Sequence, residues 1–415
     1  MEVLKIKGEN KLSGTIEIGG AKNSAVALVP AAILSDEVTI ENVPEISDVR
    51  SLEDIINYLG AEFYKEGKKL TINSKGIKNK PITLEHSKKL RASYYFMGAL
   101  LGKYKKAEMY FPGGCPIGKR PINLHLEAFE KLGARIKEDG NKYIIEAKKL
   151  IGTDIDLKIA SVGATINILL ASCRAEGVTT IHNAAKEPEV GNVVDFLNSM
   201  GAKITGKDTS TLVIEGVKKL AGGKISVIPD RIEAGTYIIA GALLGDKLVV
   251  DKIIPKHLEA LLNQLRNMGA DMEVLDNKVI VSKTSLKPSK IVTEVFPGFP
   301  TDLQQPFTTL LTQVQGESMI KETIYENRFQ NVHYLDEMGA SIKINKDTIN
   351  IKGATKLKGK TVKATDLRAG ASLVLAGLIA SGETVITDIN HVLRGYEKII
   401  KKLSKVGAQI SLERV

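Results

Sequence analysis

The chain has 415 residues, too many for one ordinary hydrophobic core, which predicts two domains of about 200 residues each. Hydrophobic residues make up 43% and charged residues 26%, which excludes a disordered chain. The longest apolar runs, 25–34 and 373–380, are too short to cross a bilayer, and the first residues lack the apolar core of a signal peptide. With only two cysteines, a disulfide framework is excluded and we expect a reducing, cytoplasmic location.

The net charge of +10 comes mainly from lysine, since 47 of the 58 basic residues are Lys and 11 are Arg. A lysine surplus usually covers solvated surface. The scarce arginines are more informative, because their planar guanidinium groups suit carboxylate and phosphate.

A Gly-Ala pair recurs along the whole chain, each time after an amphipathic stretch and before a short strand-like one. The six pairs are Gly60-Ala61, Gly133-Ala134, Gly201-Ala202, Gly269-Ala270, Gly339-Ala340 and Gly407-Ala408. Their spacings of 73, 68, 68, 70 and 68 residues indicate six repeats of one structural unit. Each glycine is predicted to end an outer helix and to lead into a β-hairpin.

Each repeat, in chain order, is predicted to be a strand, a buried helix, a strand, an outer helix and a hairpin. The buried helices are predicted to begin near Lys22, Arg91, Val162, Glu233, Thr301 and Arg368. Segments 25–34 and 373–380 are apolar on nearly all sides, which is typical of helices enclosed within a domain.

Three repeats per domain predict two similar lobes. The N-terminal lobe is predicted to span 21–229 and to carry a cysteine loop at 111–121. The C-terminal lobe is predicted to be discontinuous, formed by 1–20 and 230–415, because the opening strands have no buried helix before them. A chain that crosses twice between lobes predicts a hinged cleft.

The loop 111–121 is the most unusual segment, with three glycines and three prolines around Cys115. Lys119, Arg120 and a helix predicted to start at Pro121 favour a thiolate, so we expect a lowered pKa for Cys115. The alternative is a cysteine used as a small apolar residue. Cys173 lies in the apolar run 168–173, which predicts a core position.

Segment 19–24, Gly-Gly-Ala-Lys-Asn-Ser, opens the first buried helix and is either an anion site at Lys22 or a plain helix start. Six arginines occupy corresponding edges of the repeats. They are Arg91, Arg231 and Arg368 at the starts of buried helices, and Arg120, Arg328 and Arg394 at the starts of outer helices. Together they predict a basic cleft for a polyanionic ligand, although surface salt bridges would explain any single one.

Asp302, at the start of the fifth buried helix, is either a helix cap or a catalytic carboxylate. His125 is predicted to be structural. The remaining histidines have no metal-like spacing, and no zinc motif occurs in the sequence.

These motifs, with Glu326-Asn327-Arg328-Phe329 and Arg394-Gly395-Tyr396, resemble the UDP-N-acetylglucosamine enolpyruvyl transferases of the EPSP synthase-like family over essentially the whole chain. The resemblance implies an α/β fold: a two-domain inside-out α/β barrel with three buried parallel helices in each domain. It implies enolpyruvyl transfer from phosphoenolpyruvate to the 3-hydroxyl of UDP-N-acetylglucosamine in peptidoglycan synthesis. It also implies no cofactor, no metal, no membrane and no obligate protein partner.

The resemblance further assigns roles to individual residues. Cys115 corresponds to the general acid, to the site of a covalent adduct and to the target of fosfomycin, and Asp302 to the base. The implied phosphoenolpyruvate contacts are Lys22, Asn23, Arg120 and Arg394. The implied nucleotide-sugar contacts are Arg91, Arg120, Pro121, Ile122, Asn123, Leu124, Ser161, Val162, Gly163, Asp302 and Ile324, with Arg231, Arg328 and Arg368 in support. Asn123 and Pro116 depart from the family's usual Asp and Ala.

Two alternatives remain open at the level of the sequence. The shikimate-pathway enolpyruvyl transferase shares this fold, but it lacks the cysteine loop and begins its first helix with a different signature. A six-repeat nucleic-acid clamp would suit the positive charge, yet the chain has no Trp, only 5% aromatic residues and no continuous basic stripe. We therefore expect no nucleic-acid partner.

Overall fold

The computed structural model describes residues 2–110, 118 and 121–414. The chain divides into two compact units. The N-unit comprises 20–110 and 121–228, and the C-unit comprises 2–19 and 229–414. Each unit has its own hydrophobic core.

The elements up to residue 228 are β1 (Glu2–Lys7), β2 (Leu12–Glu17), α1 (Lys22–Ala32), β3 (Glu37–Glu41), α2 (Ser47–Leu59), β4 (Glu62–Glu66), β5 (Lys69–Asn73), α3 (Leu84–Lys89), α4 (Tyr95–Tyr104), β6 (Lys106–Tyr110), α5 (Asn123–Lys131), β7 (Arg135–Asp139), β8 (Lys142–Glu146), β9 (Asp154–Asp156), α6 (Val162–Ser172), β10 (Val178–His182), α7 (Pro188–Ser199), β11 (Lys203–Thr205), β12 (Thr211–Glu215) and β13 (Gly223–Ser226). A short 3-10 helix, Arg91–Tyr94, precedes α4.

The elements that follow are α8 (Arg231–Leu244), β14 (Gly245–Asp251), α9 (Glu259–Asn267), β15 (Asp271–Val274), β16 (Lys278–Ser282), β17 (Lys290–Val292), α10 (Thr301–Thr312), β18 (Gly316–Lys321), α11 (Gln330–Glu337), β19 (Ile342–Asn345), β20 (Thr348–Gly353), β21 (Thr361–Lys363), α12 (Leu367–Ile379), β22 (Glu383–Thr387), α13 (Asn390–Leu393), α14 (Ile399–Lys405) and β23 (Gln409–Arg414). A second 3-10 helix, Pro255–Leu258, precedes α9.

The described strands form six small sheets with one shared plan. In β13-β3-β5-β4, for example, a parallel pair is extended by an antiparallel hairpin. The sheet β6-β8-β7 has three strands, and the bridge between Ile82 and Met109 occupies the fourth position. In the last sheet β1 lies between β22 and β23, and β2 pairs with β14, so the opening residues belong to the C-unit.

The repeat glycines predicted to end the outer helices all have positive φ values. Gly60, Gly133, Gly201, Gly269, Gly339 and Gly407 have φ between 88° and 107°. The left-handed conformation after a helix costs the least conformational energy for glycine, which explains why glycine recurs there. The predicted helix ends are therefore confirmed.

Six helices (α1, α4, α6, α8, α10 and α12) are buried along nearly their whole length and form the interiors of the units. In the N-unit α4 packs against α1 and α6, and in the C-unit α8, α10 and α12 pack against one another. Outer helices such as α9 bury only one face, with Leu261, Leu262 and Leu265 inward. Within the described residues no helix is long and apolar enough to cross a membrane.

Candidate active site

The candidate carboxylate Asp302 lies in the first turn of α10, in the C-unit. The N-cap of that helix is Pro300, which makes no side-chain capping bond. Instead, Arg328 Nη2 donates to Asp302 Oδ1 (2.7 Å) and Arg368 Nη2 donates to Oδ2 (2.9 Å). Two guanidinium groups that are themselves buried therefore fix the orientation of a half-buried carboxylate.

Arg368 is held in place by its own helix start. Asp366 is the N-cap of α12, and its Oδ1 accepts from the N–H groups of Arg368 (2.8 Å) and Ala369 (3.1 Å). The Arg368 guanidinium lies over the ring of Tyr396, at 5.5 Å from the centroid. Burial by itself lowers the pKa of Arg368, but the negative charge of Asp302 and the Tyr396 phenol raise it above its ordinary value, so the group is always a cation.

The first helix of the N-unit begins at the predicted anion segment. Its N-cap is Ala21, which makes no side-chain bond, and its first turn contains no acid. Lys22 Nζ pairs with Asp48 Oδ2 at 3.0 Å, and both Lys22 and Asn23 are partly exposed. A helix start without a carboxylate, next to a lysine, is electrostatically suited to an anion.

The start of α6 contains the segment Ser161–Gly163. Ser161 caps the helix by accepting from the N–H of Ala164 (3.3 Å). A Cβ atom at Gly163 would lie 2.9 Å from Tyr94 Oη and 3.0 Å from His125 Cε1, so only glycine fits there. The ring of His125 lies across that of Tyr94, with centroids 5.1 Å apart.

His125 is buried, and its Nδ1 is 2.8 Å from Asn167 Nδ2. Burial, assisted by the nearby charge of Arg91, lowers the pKa of His125 to about 3. The imidazole is therefore neutral across the physiological range, as suits the structural role predicted for it.

The predicted contacts Pro121 to Leu124 lead into α5, which begins at Asn123, two residues later than predicted. Ile122 is buried at the N-cap position, whereas Pro121 is exposed. The Asn123 side chain is exposed, and its Nδ2 donates to Glu127 Oε1 (3.3 Å).

The arginines of the predicted basic cleft occupy several kinds of position. Arg91 begins the 3-10 helix before α4, and Arg231 begins α8 with its guanidinium 5.6 Å from the Phe296 ring centroid. Arg394 was predicted to begin an outer helix, and this is wrong. It follows the short helix α13 as its C-cap, and α14 begins only at Ile399, after the left-handed Lys398 (φ 52°).

Cys115 and Arg120 lie outside the described residues. Cys173 is fully buried at the end of α6, and burial raises the pKa of its thiol to about 12, which confirms its core position. The predicted phosphoenolpyruvate contacts that are described are divided between the units, with Lys22 and Asn23 in the N-unit and Arg394 in the C-unit. In the part of the chain that the structure describes, His, Cys, Asp and Glu side chains form no cluster that could hold a metal ion.

The sequence analysis assigned no role to Asp230, Asp366, Asp48 or Tyr396. A signal existed for the first two, because an aspartate precedes both Arg231 and Arg368 at the helix starts. No local pattern connects Asp48 with Lys22 or Tyr396 with Arg368, since each pair joins different elements.

Comparisons with known proteins cover the whole chain. The family model of EPSP synthase (3-phosphoshikimate 1-carboxyvinyltransferase) matches residues 6–403. A UDP-N-acetylglucosamine 1-carboxyvinyltransferase 2 of Bacillus subtilis is 49% identical over 100% of this chain and 97% of its own length. A UDP-N-acetylglucosamine 1-carboxyvinyltransferase of Clostridium botulinum is 49% identical over 99% of both chains.

Solved structures agree with these relatives. The enolpyruvyl transferase NikO from Streptomyces tendae has a TM-score of 0.91 at 26% identity and covers 100% of this chain, with 99% of its own covered. An EPSP synthase from Acinetobacter baumannii has a TM-score of 0.76 at 19% identity over 100% of both chains, which shows the fold alone. The predicted fold class is therefore confirmed.

Proposed function

Because the chain belongs to the EPSP synthase family, as a full-length relative of its UDP-N-acetylglucosamine 1-carboxyvinyltransferases, we propose that it transfers the enolpyruvyl group of phosphoenolpyruvate to UDP-N-acetylglucosamine. The acceptor is the sugar 3-hydroxyl and phosphate is released. The product enters peptidoglycan precursor synthesis, and the enzyme works in the cytoplasm. The observation that carries this proposal is the 49% identity over the whole chain to relatives with that activity in their names.

The proposed reaction is an addition followed by an elimination. Protonation of phosphoenolpyruvate at C3 makes C2 electrophilic, and we assign this proton to the Cys115 thiol. The sugar hydroxyl attacks C2 and loses its proton, and Asp302 is the proposed acceptor. The Cys115 thiolate left by the first step then takes back a proton from C3 as the phosphate leaves, which restores the double bond.

Asp302 is suited to this role by its surroundings. Its two oxygens are fixed by Arg328 and Arg368, so the carboxylate is held in one orientation before the substrate arrives. Preorganised charge of this kind lowers a barrier because no reorientation is needed during the reaction.

The proposed anion contacts are Lys22, Asn23 and Arg120, with Arg394 of the C-unit, for phosphoenolpyruvate. The uncapped start of α1 beside Lys22 supports this assignment. For the nucleotide sugar we propose Arg91, Arg120 to Leu124, Ser161 to Gly163, Asp302 and Ile324.

Phosphate release from phosphoenolpyruvate tests the proposal directly. With UDP-N-acetylglucosamine as acceptor we expect stoichiometric phosphate and an enolpyruvyl ether on the nucleotide sugar, detected by mass spectrometry. Release with shikimate 3-phosphate would instead assign the chain to the other branch of its family. The absence of release with either acceptor would contradict the proposal.

A further inference from the structure

A buried carboxylate outside the proposed substrate contacts connects two parts of the site. Glu322 follows β18 in the C-unit and is 3% exposed. Removing a carboxylate from water costs several kcal/mol unless donors surround it. The donors around Glu322 are therefore informative about what it does.

One oxygen of Glu322 organises the chain that follows it. Glu322 Oε1 accepts from the N–H of Ile324 (2.8 Å), the N–H of Tyr325 (3.2 Å) and the hydroxyl of Thr293 (2.9 Å). The carboxylate thus fixes the backbone at Ile324, four residues before Arg328.

The other oxygen reaches the start of α10. The hydroxyl of Thr301 donates to Glu322 Oε2 at 2.9 Å, and Thr301 immediately precedes Asp302. Because Arg328 in turn donates to Asp302 at 2.7 Å, the connection closes into a ring. The ring runs from Glu322 through Thr301 and Asp302 to Arg328 and back along the chain.

We propose that Glu322 is a positioning residue for the transfer reaction, which aligns Asp302 through the Thr301 hydroxyl and Ile324 through its backbone N–H. This inference rests on the proposed function. Glu322 touches neither substrate, and it acts by holding the helix start and the segment after β18 in one register. A displacement of about 1 Å at such a site can reduce turnover about 100-fold.

The Thr301 hydroxyl offers the cleanest test, because it contributes one bond and can be replaced at nearly constant volume. Thr301→Val removes the bond to Glu322, and we expect kcat to fall about tenfold or more with little change in melting temperature. Thr301→Ser keeps the hydroxyl and should retain most of the wild-type kcat. If the Val and Ser variants have equal kcat, the alignment of Asp302 through this bond is wrong.

Glu322→Leu removes both oxygens together at similar volume. We expect kcat to fall and the KM for UDP-N-acetylglucosamine to rise, since Ile324 and Asp302 both lose their alignment. The matched control is Glu317→Leu, on the preceding strand β18 and exposed, which should leave both constants unchanged. A Glu322→Leu variant with wild-type constants would overturn the proposal, as would a lower stability with unchanged constants.

Two further results separate this inference from the proposed function. Thr301→Val added to Glu322→Leu should cause no further loss of kcat, because both changes break the same connection between Thr301 and residue 322. Phosphate release by the wild-type enzyme with UDP-N-acetylglucosamine is measured first. Its failure would refute the proposed function, whereas normal wild-type turnover with additive variants would refute the role of Glu322 alone. Should Glu322→Leu fail to fold, the pair of Thr301 variants decides.

Discussion

The buried helices of the two units begin in different ways. In the C-unit Asp230 caps α8 through two N–H groups (2.8 and 2.9 Å), Asp366 caps α12, and Asp302 lies in the first turn of α10. In the N-unit the described N-caps of α1, α4 and α6 include no acid, and their first turns contain none. Ser161, the cap of α6, is neutral.

The difference shows how one repeat plan can serve two electrostatic purposes. The start of a helix carries partial positive charge, which a carboxylate neutralises. In the C-unit this neutralisation is internal, and Asp302 and Asp230 also lie close to the cation Arg368. In the N-unit the caps and first turns supply no carboxylate, and at α1 the acid Asp48 pairs with Lys22, so these helix starts suit a ligand that brings its own negative charge.

The largest expected effect concerns Asp302, the carboxylate in the first turn of α10. Asp302→Asn should reduce turnover by about two to four orders of magnitude, the usual span for acid–base groups. Turnover is measured at a temperature at which circular dichroism shows the variant to be folded. Asp230→Asn, which keeps a capping side chain, is the control and should lose far less. Near-normal turnover of Asp302→Asn would return Asp302 to a structural role.

The units should also differ in their response to pH. The lowered pKa of His125, about 3, means that the folded N-unit cannot bind the proton that the unfolded chain takes up near pH 6.5. Stability should therefore fall as the pH drops below about 6.5, by about 2 kcal/mol at pH 5. His125→Gln should flatten this slope in urea unfolding. An unchanged slope would contradict the assignment.

In the C-unit a buried acid, Glu233, should make stability change with pH in the opposite direction. Burial raises the pKa of Glu233 to about 7, although Lys402 at 2.6 Å and the N–H of Gly19 oppose the shift. An acid with a raised pKa stabilises most below its unfolded value, so this contribution should be lost as the pH rises from about 4.5 to 7. Glu233→Gln should remove that loss, which urea unfolding across this range would detect.

Removal of the helix caps should reduce the stability of the two units by different, smaller amounts. Asp366→Ala removes the acceptor of two backbone N–H hydrogen bonds and should lower the free energy of unfolding by about 1–2 kcal/mol. Ser161→Ala breaks one longer bond and should cost about 0.5–1 kcal/mol. Asp366→Asn should retain most of the stability. Equal losses for the two alanine variants would contradict the contrast between the units.

The smallest expected effect comes from giving the N-unit an acid at a helix start. Asn23→Asp places a carboxylate in the first turn of α1, where it competes with the proposed phosphate of phosphoenolpyruvate. We expect the KM for phosphoenolpyruvate to rise by about two- to fivefold, as helix-end charges of 0.3–1 kcal/mol imply. Asn57→Asp, on the exposed face of α2, should leave KM unchanged. A lower KM for Asn23→Asp would contradict the idea of an anion-binding helix start.

Much of the fold could be predicted because short local sequence patterns specify it and recur in every repeat. Gly60 and its five counterparts mark helix ends by the one conformation that glycine tolerates best. Segments such as 25–34 are apolar all round, and their helices are indeed enclosed. Gly395, directly after the C-cap of α13, is the usual signal of a helix end, but the start of α14 could not be predicted, because the left-handed residue before it is Lys398 and not a glycine.

Residues of the candidate site could be predicted where their type is scarce or where they open a recognisable helix, as Asp302 does. Arginine is rare in this chain, so Arg328 and Arg368 stood out, and both contact Asp302. The carboxylate Glu322 did not stand out among 48 acidic residues. Its importance comes from burial and from three donors, Thr293 after β17, Ile324 after β18 and Thr301 at the start of α10, which only the fold brings together.

The position of β1 between β22 and β23 has a consequence for the order of synthesis. Glu2 is opposite Arg414, so β1 pairs with β23, which is synthesised after all the other described strands. The N-unit can complete its sheets once β13 has been made, whereas this sheet of the C-unit must wait for β23. Until then β1 is an unpaired strand on a growing chain, and such strands are prone to pair with the wrong partner. Its alternating lysines, Lys5 and Lys7, are the kind of charged residue that discourages such pairing.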